Sequence, residues 1–275
     1  MDTVNWSRGV ERGPEPRCGC EEEGIMLDAS SISLVLDVYR PERASLLDLL
    51  RGLSKEDWQR PTECPAYTVK GVATHVLGDD LSLLSRQRDG AEDGVSLLAA
   101  EMSGADFRTL LDTFNDRWVA TAQFFSAELL MELLRSTGEW TAAYYEAVDP
   151  KTPGESVGLF GAQQEAASPF WQAIAREYLE RWIHHSQIRR ALGVSSLAEQ
   201  QFLVPGIEVA AAIARMEPVI PTIPGEDWTL GPVVLGVAQQ AADILTRAHT
   251  SDEVRELVSG PADVVTLFAA VAGCP

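Results

Sequence analysis

Histidine and cysteine are scarce in this chain, and the shortage limits the kinds of site that it can build. Only four of the 275 residues are histidine and four are cysteine. The cysteines are too scattered for a disulfide framework or a zinc ribbon; they are Cys18, Cys20, Cys64 and Cys274. We therefore expect reduced cysteines that are mostly structural, and the few histidines become the first candidates for metal ligands.

The sequence also lacks long apolar runs and any concentration of positive charge. No stretch of about 18 uncharged apolar residues is present, so we expect no membrane partner. The formal net charge of -19, without a Lys/Arg-rich block, argues against nucleic-acid binding. The opening MDTVNWSRGVERGPEP has no basic segment followed by an apolar stretch, as a secretory signal would, which predicts a soluble cytoplasmic protein.

Composition and periodicity divide the chain into three regions. Residues 1–28 are rich in Gly, Pro, Arg and Glu without apolar periodicity, which predicts a disordered tail or an upstream extension. Residues 29–195 carry helical patterns that predict a four-helix bundle. Residues 196–275 are punctuated by proline and include β-prone pieces such as WTLGPVVLG. The predicted fold class is mainly α, with an N-terminal four-helix bundle and a small C-terminal α+β domain.

Four helical patterns make up the predicted bundle. The first covers 30–52 with a bend near Pro41, and the second follows Thr68, a residue suited to cap a helix N-terminus, and runs to about 88. The third covers about 105–135 and is followed by a polar loop through about 168. The fourth covers 169–192 and ends at Gly193, which suits a left-handed helix cap. A further helix is predicted over about 233–249.

The stretch REYLERWIHHSQIRRALG holds two of the four histidines in the predicted fourth helix. Glu180 and His184 are four residues apart, so their side chains share one helix face and can hold one ion. The adjacent His185 is rotated by about 100 degrees and cannot share that ion without distorting the helix. If His75 on the second helix points toward this pair, a His, His, Glu set results, which leaves a position open on a catalytic zinc ion.

Two carboxylates near these histidines are candidate catalytic residues. Asp79, one turn after His75, is interpreted as a group that orients the imidazole or carries a proton, the alternative being an exposed helix-stabilising charge. Glu177 precedes Glu180 by one turn and is interpreted as an acid or base near the ion. The alternative for Glu177 is a surface salt bridge to Arg181.

Arg86 and Arg88 are candidate binding residues for the carboxylate of a substrate or of a thiol cosubstrate, because a guanidinium can hold a carboxylate through two parallel hydrogen bonds. An exposed arginine without a ligand is the alternative for each. Cys64 lies just ahead of the second helix, where we expect packing rather than redox chemistry.

Two stretches, RPTECPAYTVKGVATHVLGDDLSLLSRQRDG and REYLERWIHHSQIRRALG, resemble the motif regions of the mycothiol-dependent maleylpyruvate isomerase family. That family is part of the DinB/YfiT-like metal-binding superfamily. The resemblance implies that His75, Glu180 and His184 are the metal ligands, the same three that helix geometry selects. It also implies a DinB-like four-helix bundle followed by a small domain similar to sterol-carrier proteins.

The resemblance implies a function as well. The expected cofactor is Zn²⁺ or another divalent metal, and the expected cosubstrate is mycothiol, the low-molecular-weight thiol of actinobacteria. The expected partner is a small electrophilic metabolite, acted on by a thiol-dependent S-transferase or isomerase that is a monomer or homodimer. Two alternatives stay open: a metal-dependent hydrolase or natural-product tailoring enzyme that uses metal-bound water, and a non-catalytic metal- or thiol-binding stress protein.

Overall fold

A computed structural model of the protein describes residues 29–64, 66–154, 169–214 and 216–272. In these ranges the chain is mainly helical, with ten helices and a small three-stranded sheet, which confirms the predicted fold class in outline. None of the helices in the described ranges is long and apolar enough to span a bilayer. The predicted tail, 1–28, lies outside the described residues, as do Cys18, Cys20 and Cys274.

Helices occupy most of the described chain, and the three short strands lie between the seventh and eighth helices. The helices are α1 (Ala29–Arg51), α2 (Val69–Leu83), α3 (Gly94–Glu101), α4 (Phe107–Thr121), α5 (Ala127–Ala147), α6 (Phe170–Ala191), α7 (Gln200–Ala214), α8 (Ala238–Leu245), α9 (Ser251–Leu257) and α10 (Ala262–Ala272). The strands are β1 (Pro218–Val219), β2 (Trp228–Leu230) and β3 (Val233–Gly236), which pair antiparallel in the order β1-β2-β3.

Four long helices pack together as a bundle. α1 lies against α5 and α6, and α2 lies against the same two helices, so α1 and α2 occupy opposite corners. Buried leucine and valine side chains from α1, α2 and α5 fill one end of the bundle; they include Leu46, Leu50, Val72, Leu130 and Leu134. Because α2 and α6 are neighbours, side chains on their facing sides can meet in the interior.

Local sequence signals place the ends of the two helices that matter most. The Thr68 side chain accepts a hydrogen bond from the backbone N–H of Gly71, so it caps α2 as predicted. Gly193 follows α6 with a φ of 74°, the left-handed conformation that glycine adopts without strain. α2 ends at Leu83, and a single π-helical turn, Leu84–Arg88, continues it to the predicted end.

The prediction of one helix over 105–135 is wrong. α4 ends at Thr121, a 3₁₀ turn covers Ala122–Phe124, and Ser126 caps a new helix, α5, by accepting a hydrogen bond from the N–H of Leu129. α5 then continues to Ala147, through residues for which the sequence predicts a loop. α5 is the third bundle helix, whereas α4 packs on the outer side of α2. The apolar spacing predicts α4 correctly. It does not reveal the break before α5, because apolar residues continue at helical spacing past Ser126.

The C-terminal part contains both helices and strands, as predicted, although one boundary differs. Residues 233–236 form β3 rather than the start of a helix, because Gly231 and Gly236, with φ values of 53° and 83°, turn the chain on either side of the strand. The helix that follows is α8. The proposed domain boundary at 195/196, and the likeness of 196–275 to sterol-carrier proteins, stay predictions.

α7 packs closely on the bundle helices α1 and α6. Trp182 of α6 is fully buried, and its indole N–H donates a 2.8 Å hydrogen bond to the carbonyl of Leu197. Gly206 of α7 lies against the same ring, so that a Cβ atom at this position would be 2.5 Å from Trp182 Cζ3. The absence of a side chain at residue 206 therefore sets how near α7 comes to the bundle.

Candidate metal centre

The facing sides of α2 and α6 bring together the two histidines that the sequence selects. The ring centroids of His75 and His184 are 4.7 Å apart, with the rings nearly perpendicular. Both side chains are largely buried. One possible ligand atom from each of His75, Asp79 and His184 lies within 4.8 Å of the other two. Three side chains of types suited to a divalent ion, two imidazoles and one carboxylate, thus converge between two bundle helices.

Each helix supplies a histidine and a carboxylate one turn apart. On α2, His75 Nε2 is 3.3 Å from Asp79 Oδ2. On α6, His184 Nε2 is 3.6 Å from Glu180 Oε2. Asp79, which the sequence presents as an orienting or proton-carrying group, belongs to the compact set of three, while Glu180 stands beside it next to His184. The predicted ligand set of His75, Glu180 and His184 stays a prediction, and Asp79 competes for the carboxylate position.

These residues fit a divalent ion such as zinc. Nitrogen and oxygen ligands at about 2.1 Å from an ion lie roughly 3.0–3.4 Å from one another. The two His–carboxylate separations are close to that range. In addition, the buried Nδ1 of His75 has no hydrogen-bond partner among the described residues, so this ring has an unsatisfied position. The donor types and these two separations therefore suit a divalent ion.

Burial keeps both imidazoles neutral, as ligands must be. It lowers the pKa of His75 below its ordinary value. It also lowers the pKa of His184, and the neighbouring His75 lowers it further because two positive rings would repel each other. Both rings therefore favour the neutral form, in which one ring nitrogen keeps a lone pair that an ion can use.

The two candidate carboxylates have pKa values shifted in opposite directions. Burial raises the pKa of Asp79 well above its ordinary value, and the nearby Glu177 carboxylate adds to the shift. Burial also acts to raise the pKa of Glu180, but attraction to the His184 ring in its protonated form and to the Arg176 guanidinium outweighs it and lowers the pKa. Asp79 is thus the better proton carrier and Glu180 the better permanent anion.

Glu177 points into the protein rather than to its surface. Its side chain is 5% exposed, and Arg176 Nη2 donates a 2.7 Å hydrogen bond to Glu177 Oε1. The alternative interpretation of a surface salt bridge to Arg181 is wrong, because Arg181 is buried and pairs with Asp80. The influence of Glu177 on the pKa of Asp79 places its charge near the candidate centre.

Gln187 and Cys64 form a hydrogen-bonded layer behind His184. His184 Nδ1 is 2.8 Å from Gln187 Oε1, and Cys64 Sγ donates to the same oxygen at 3.3 Å. Gln187 is not among the residues predicted from the sequence, although its position three residues after His184 on a helix is a usable signal. Cys64 is half-buried, in agreement with the predicted packing role.

The two predicted binding arginines have different surroundings. Arg88 is partly exposed and donates two hydrogen bonds to Asp89, at 2.7 and 2.8 Å. Arg86 donates to Ser82 Oγ at 3.4 Å and lines a cavity of about 410 Å³ between α2, α3 and α4. The other lining residues are Gly78, Leu81, Ser82, Ser85, Glu92, Asp93, Gly94, Phe114 and Trp118. Arg86 therefore borders a cavity large enough for a small ligand.

The charge of Arg247, in the C-terminal part of the chain, also affects Glu180 at the candidate centre. Arg247 follows α8 and, among the described residues, is the sole non-glycine residue with a positive φ, 60°. Its charge contributes to the lowered pKa of Glu180 on α6. Strained backbone at a charged residue near a candidate centre is characteristic of functional positions. No local sequence signal identifies Arg247, because its relation to α6 depends on how α8 packs.

Next to the candidate centre, each bundle helix contributes one residue to a buried polar network around Asp80 of α2. Arg43 of α1 donates to Asp80 Oδ2 at 2.8 Å, and Thr137 of α5 donates to the same oxygen at 2.6 Å. Arg181 of α6 donates to Asp80 Oδ1 and lies 4.7 Å from the ring centroid of Tyr39. The network ties all four helices together one residue beyond Asp79.

His185 belongs to a separate buried pair. Its Nδ1 is 2.9 Å from Glu42 Oε1 of α1, and both side chains are almost completely buried. The ring therefore turns toward α1, away from His184, as the helical rotation predicts. His185 contributes to packing between α6 and α1 rather than to the metal centre.

The Asp80 network makes stability depend on pH in a defined direction. Burial alone would raise the pKa of Asp80, but Arg181 and Arg43 outweigh it and lower the pKa below its ordinary value. The stabilisation is therefore fully present above the unfolded-state pKa of about 3.9 and is lost as pH falls through the lower folded-state pKa. In urea titrations at pH 5 and at progressively lower pH, we expect the difference in unfolding free energy between wild type and Asp80→Asn to shrink. A difference that grows on acidification contradicts this prediction.

A family model described as the mycothiol maleylpyruvate isomerase N-terminal domain matches residues 39–189. The match includes both helices of the candidate centre and ends before α7. No curated protein and no solved structure matches the chain.

Proposed function

The chain belongs to the mycothiol maleylpyruvate isomerase N-terminal domain family, and on that premise we propose that it is a metal-dependent enzyme with mycothiol as its thiol cosubstrate. The reaction that we assign is isomerisation of a small electrophilic metabolite or transfer of the thiol to it. Zinc is the metal that we assign, because imidazole and carboxylate donors are common zinc ligands. We also assign the bundle to the DinB type.

The observation that carries the proposal is the cluster formed by the buried imidazoles of His75 and His184 and the carboxylate of Asp79, within 4.8 Å of one another, with Glu180 Oε2 beside it at 3.6 Å from His184 Nε2. We assign His75, His184 and Glu180 as ligands, with Asp79 as the competing carboxylate. When bound, a divalent ion supplies Lewis acidity, which lowers the pKa of a coordinated thiol or water.

The remaining residues are assigned to protons and binding. Asp79, which contacts His75, is placed to accept the thiol proton, and its raised pKa, to which Glu177 contributes, makes its carboxylate a stronger base for that step. Arg86, on the cavity wall, and Arg247, near Glu180, are assigned to anionic groups of the substrate or cosubstrate. Arg88 is the weaker candidate because Asp89 already neutralises it.

The test is thiol conjugation and isomerisation by the zinc-loaded protein. With mycothiol and monochlorobimane, or with mycothiol and maleylpyruvate, we expect turnover above the uncatalysed rate that disappears when zinc is removed. The matched control is His249→Ala, which removes a histidine outside the cluster and should leave the rate unchanged. A zinc-loaded wild type that is inert in both assays rejects a thiol-dependent activity on these substrates, and ester or amide hydrolysis without thiol would favour metal-bound water instead.

A further inference from the structure

We propose that Gln187 is a positioning residue that fixes which ring nitrogen of His184 faces the metal centre, and that the Cys64 thiol holds the Gln187 amide in the required orientation. The inference rests on the proposed metal-dependent function. It concerns Gln187, which contacts the proposed ligand His184 at Nδ1, and Cys64, which contacts Gln187.

The first step is the proton on His184. Gln187 is 4% exposed, and its Oε1 lies 2.8 Å from His184 Nδ1. A carbonyl oxygen only accepts hydrogen bonds, so Nδ1 must carry the ring proton when it faces this atom. The lone pair is then on Nε2, the nitrogen that is 3.6 Å from Glu180 Oε2 and so faces the cluster. Coordination through Nε2 requires this tautomer.

The second step is the orientation of the amide itself. Turning the Gln187 amide by 180° would present its NH₂ group to His184 Nδ1. That nitrogen would then need a lone pair, the proton would move to Nε2, and Nε2 could no longer bind an ion. The Cys64 thiol lies 3.3 Å from the same Oε1 and donates to it. Two donors on one carbonyl oxygen therefore favour the orientation that leaves Nε2 available.

The third step is the position of Cys64 in the chain. The backbone N–H of Cys64 is held by Thr62 Oγ1 at 3.2 Å, and its carbonyl accepts from the N–H of Tyr67 at 2.9 Å. This turn leads directly into Thr68, the cap of α2, the helix that carries His75. The loop that precedes α2, which carries His75, therefore also determines, through Cys64 and Gln187, which ring nitrogen of His184 on α6 is available to an ion.

The first experiment measures the His184 tautomer in the zinc-free wild type by ¹⁵N NMR at a pH above the histidine pKa values. We expect protonation at Nδ1. In Gln187→Leu, we expect the Nε2-protonated form to appear and zinc affinity, measured by chelator competition, to fall about 10- to 100-fold. Gln187→Glu keeps an acceptor at this place, so it should retain the Nδ1 tautomer and bind zinc far better than Gln187→Leu. Gln201→Leu, at an exposed glutamine of α7, controls for the general effect of replacing a glutamine by leucine and should change neither the tautomer nor zinc affinity.

The thiol is tested with Cys64→Ser and Cys64→Ala. Serine still donates a hydrogen bond and should preserve the tautomer, while alanine should shift it in the direction of Gln187→Leu, by a smaller amount. Protonation of His184 at Nε2 in the wild type overturns the proposal, as does a Gln187→Glu variant that loses zinc as completely as Gln187→Leu. Because the tautomer is read without metal, an Nδ1 tautomer in a wild type that fails to bind zinc would reject the metal centre and still support the role of Gln187.

Discussion

Replacing His184 with alanine is expected to weaken zinc binding by more than about 100-fold and to abolish mycothiol-dependent turnover. Loss of a residue that only supports a ligand already costs about 10- to 100-fold in metal affinity, so loss of a ligand should cost more. His75→Ala should behave in the same way, because its ring is the partner across the α2–α6 contact at 4.7 Å between centroids. Metal analysis of the purified variants and chelator competition give the measurement.

The carboxylate ligand is identified by a pair of variants at the same site. Glu180→Ala should lower zinc affinity to the level of His184→Ala if Glu180 coordinates the ion, and Asp79→Ala should then mainly lower turnover. The reverse order would assign Asp79 as the ligand, in keeping with its place in the compact set of three. Variants of His75 and His184 that keep stoichiometric zinc would rule out the centre altogether.

Replacing Asp80 with asparagine should lower the free energy of unfolding by about 3–5 kcal/mol at neutral pH. Asparagine has nearly the same shape but leaves the buried guanidinium groups of Arg43 and Arg181 without a counter-charge. Chemical denaturation of the zinc-free protein measures the loss, so that metal binding does not contribute.

The control for this loss is Asp112→Asn in α4. Asp112 also pairs with an arginine, Arg108, at 3.0 Å, but both side chains are more than half exposed. An exposed pair of this kind contributes less than about 1 kcal/mol. A similarly small effect at Asp80 would mean that the network does not hold the bundle together.

Helix ends and helix faces were predictable because they depend on residues close together in sequence. Thr68 and Gly193 mark the start of α2 and the end of α6 through local hydrogen bonding and backbone preference. The spacing of Glu180 and His184 is likewise a property of one helix. The sequence does not reveal the break at Ser126 because an apolar stripe continues across it, and the part of α5 after residue 135 falls in the predicted loop.

The surroundings of the candidate centre were beyond prediction because their partners are distant in sequence. Asp80 and Arg181 are 101 residues apart, and Cys64 and Gln187 are 123 apart. Nothing in the sequence near Asp80 indicates which cations will neutralise it, and the same holds for Arg247 and Glu180. The resemblance selects ligands from the motif, but it does not indicate that Asp79 lies as near to the histidines as it does.

The contact between Gly206 and Trp182 limits how this protein can diverge. Even the methyl group of alanine at position 206 would overlap the indole ring, since the Cβ would be 2.5 Å from a ring carbon. A lineage that acquires a side chain there must replace the tryptophan with something smaller or move α7 outward. The two positions are therefore expected to change together among relatives, and a glycine aligned with residue 206 should accompany a large aromatic residue at 182.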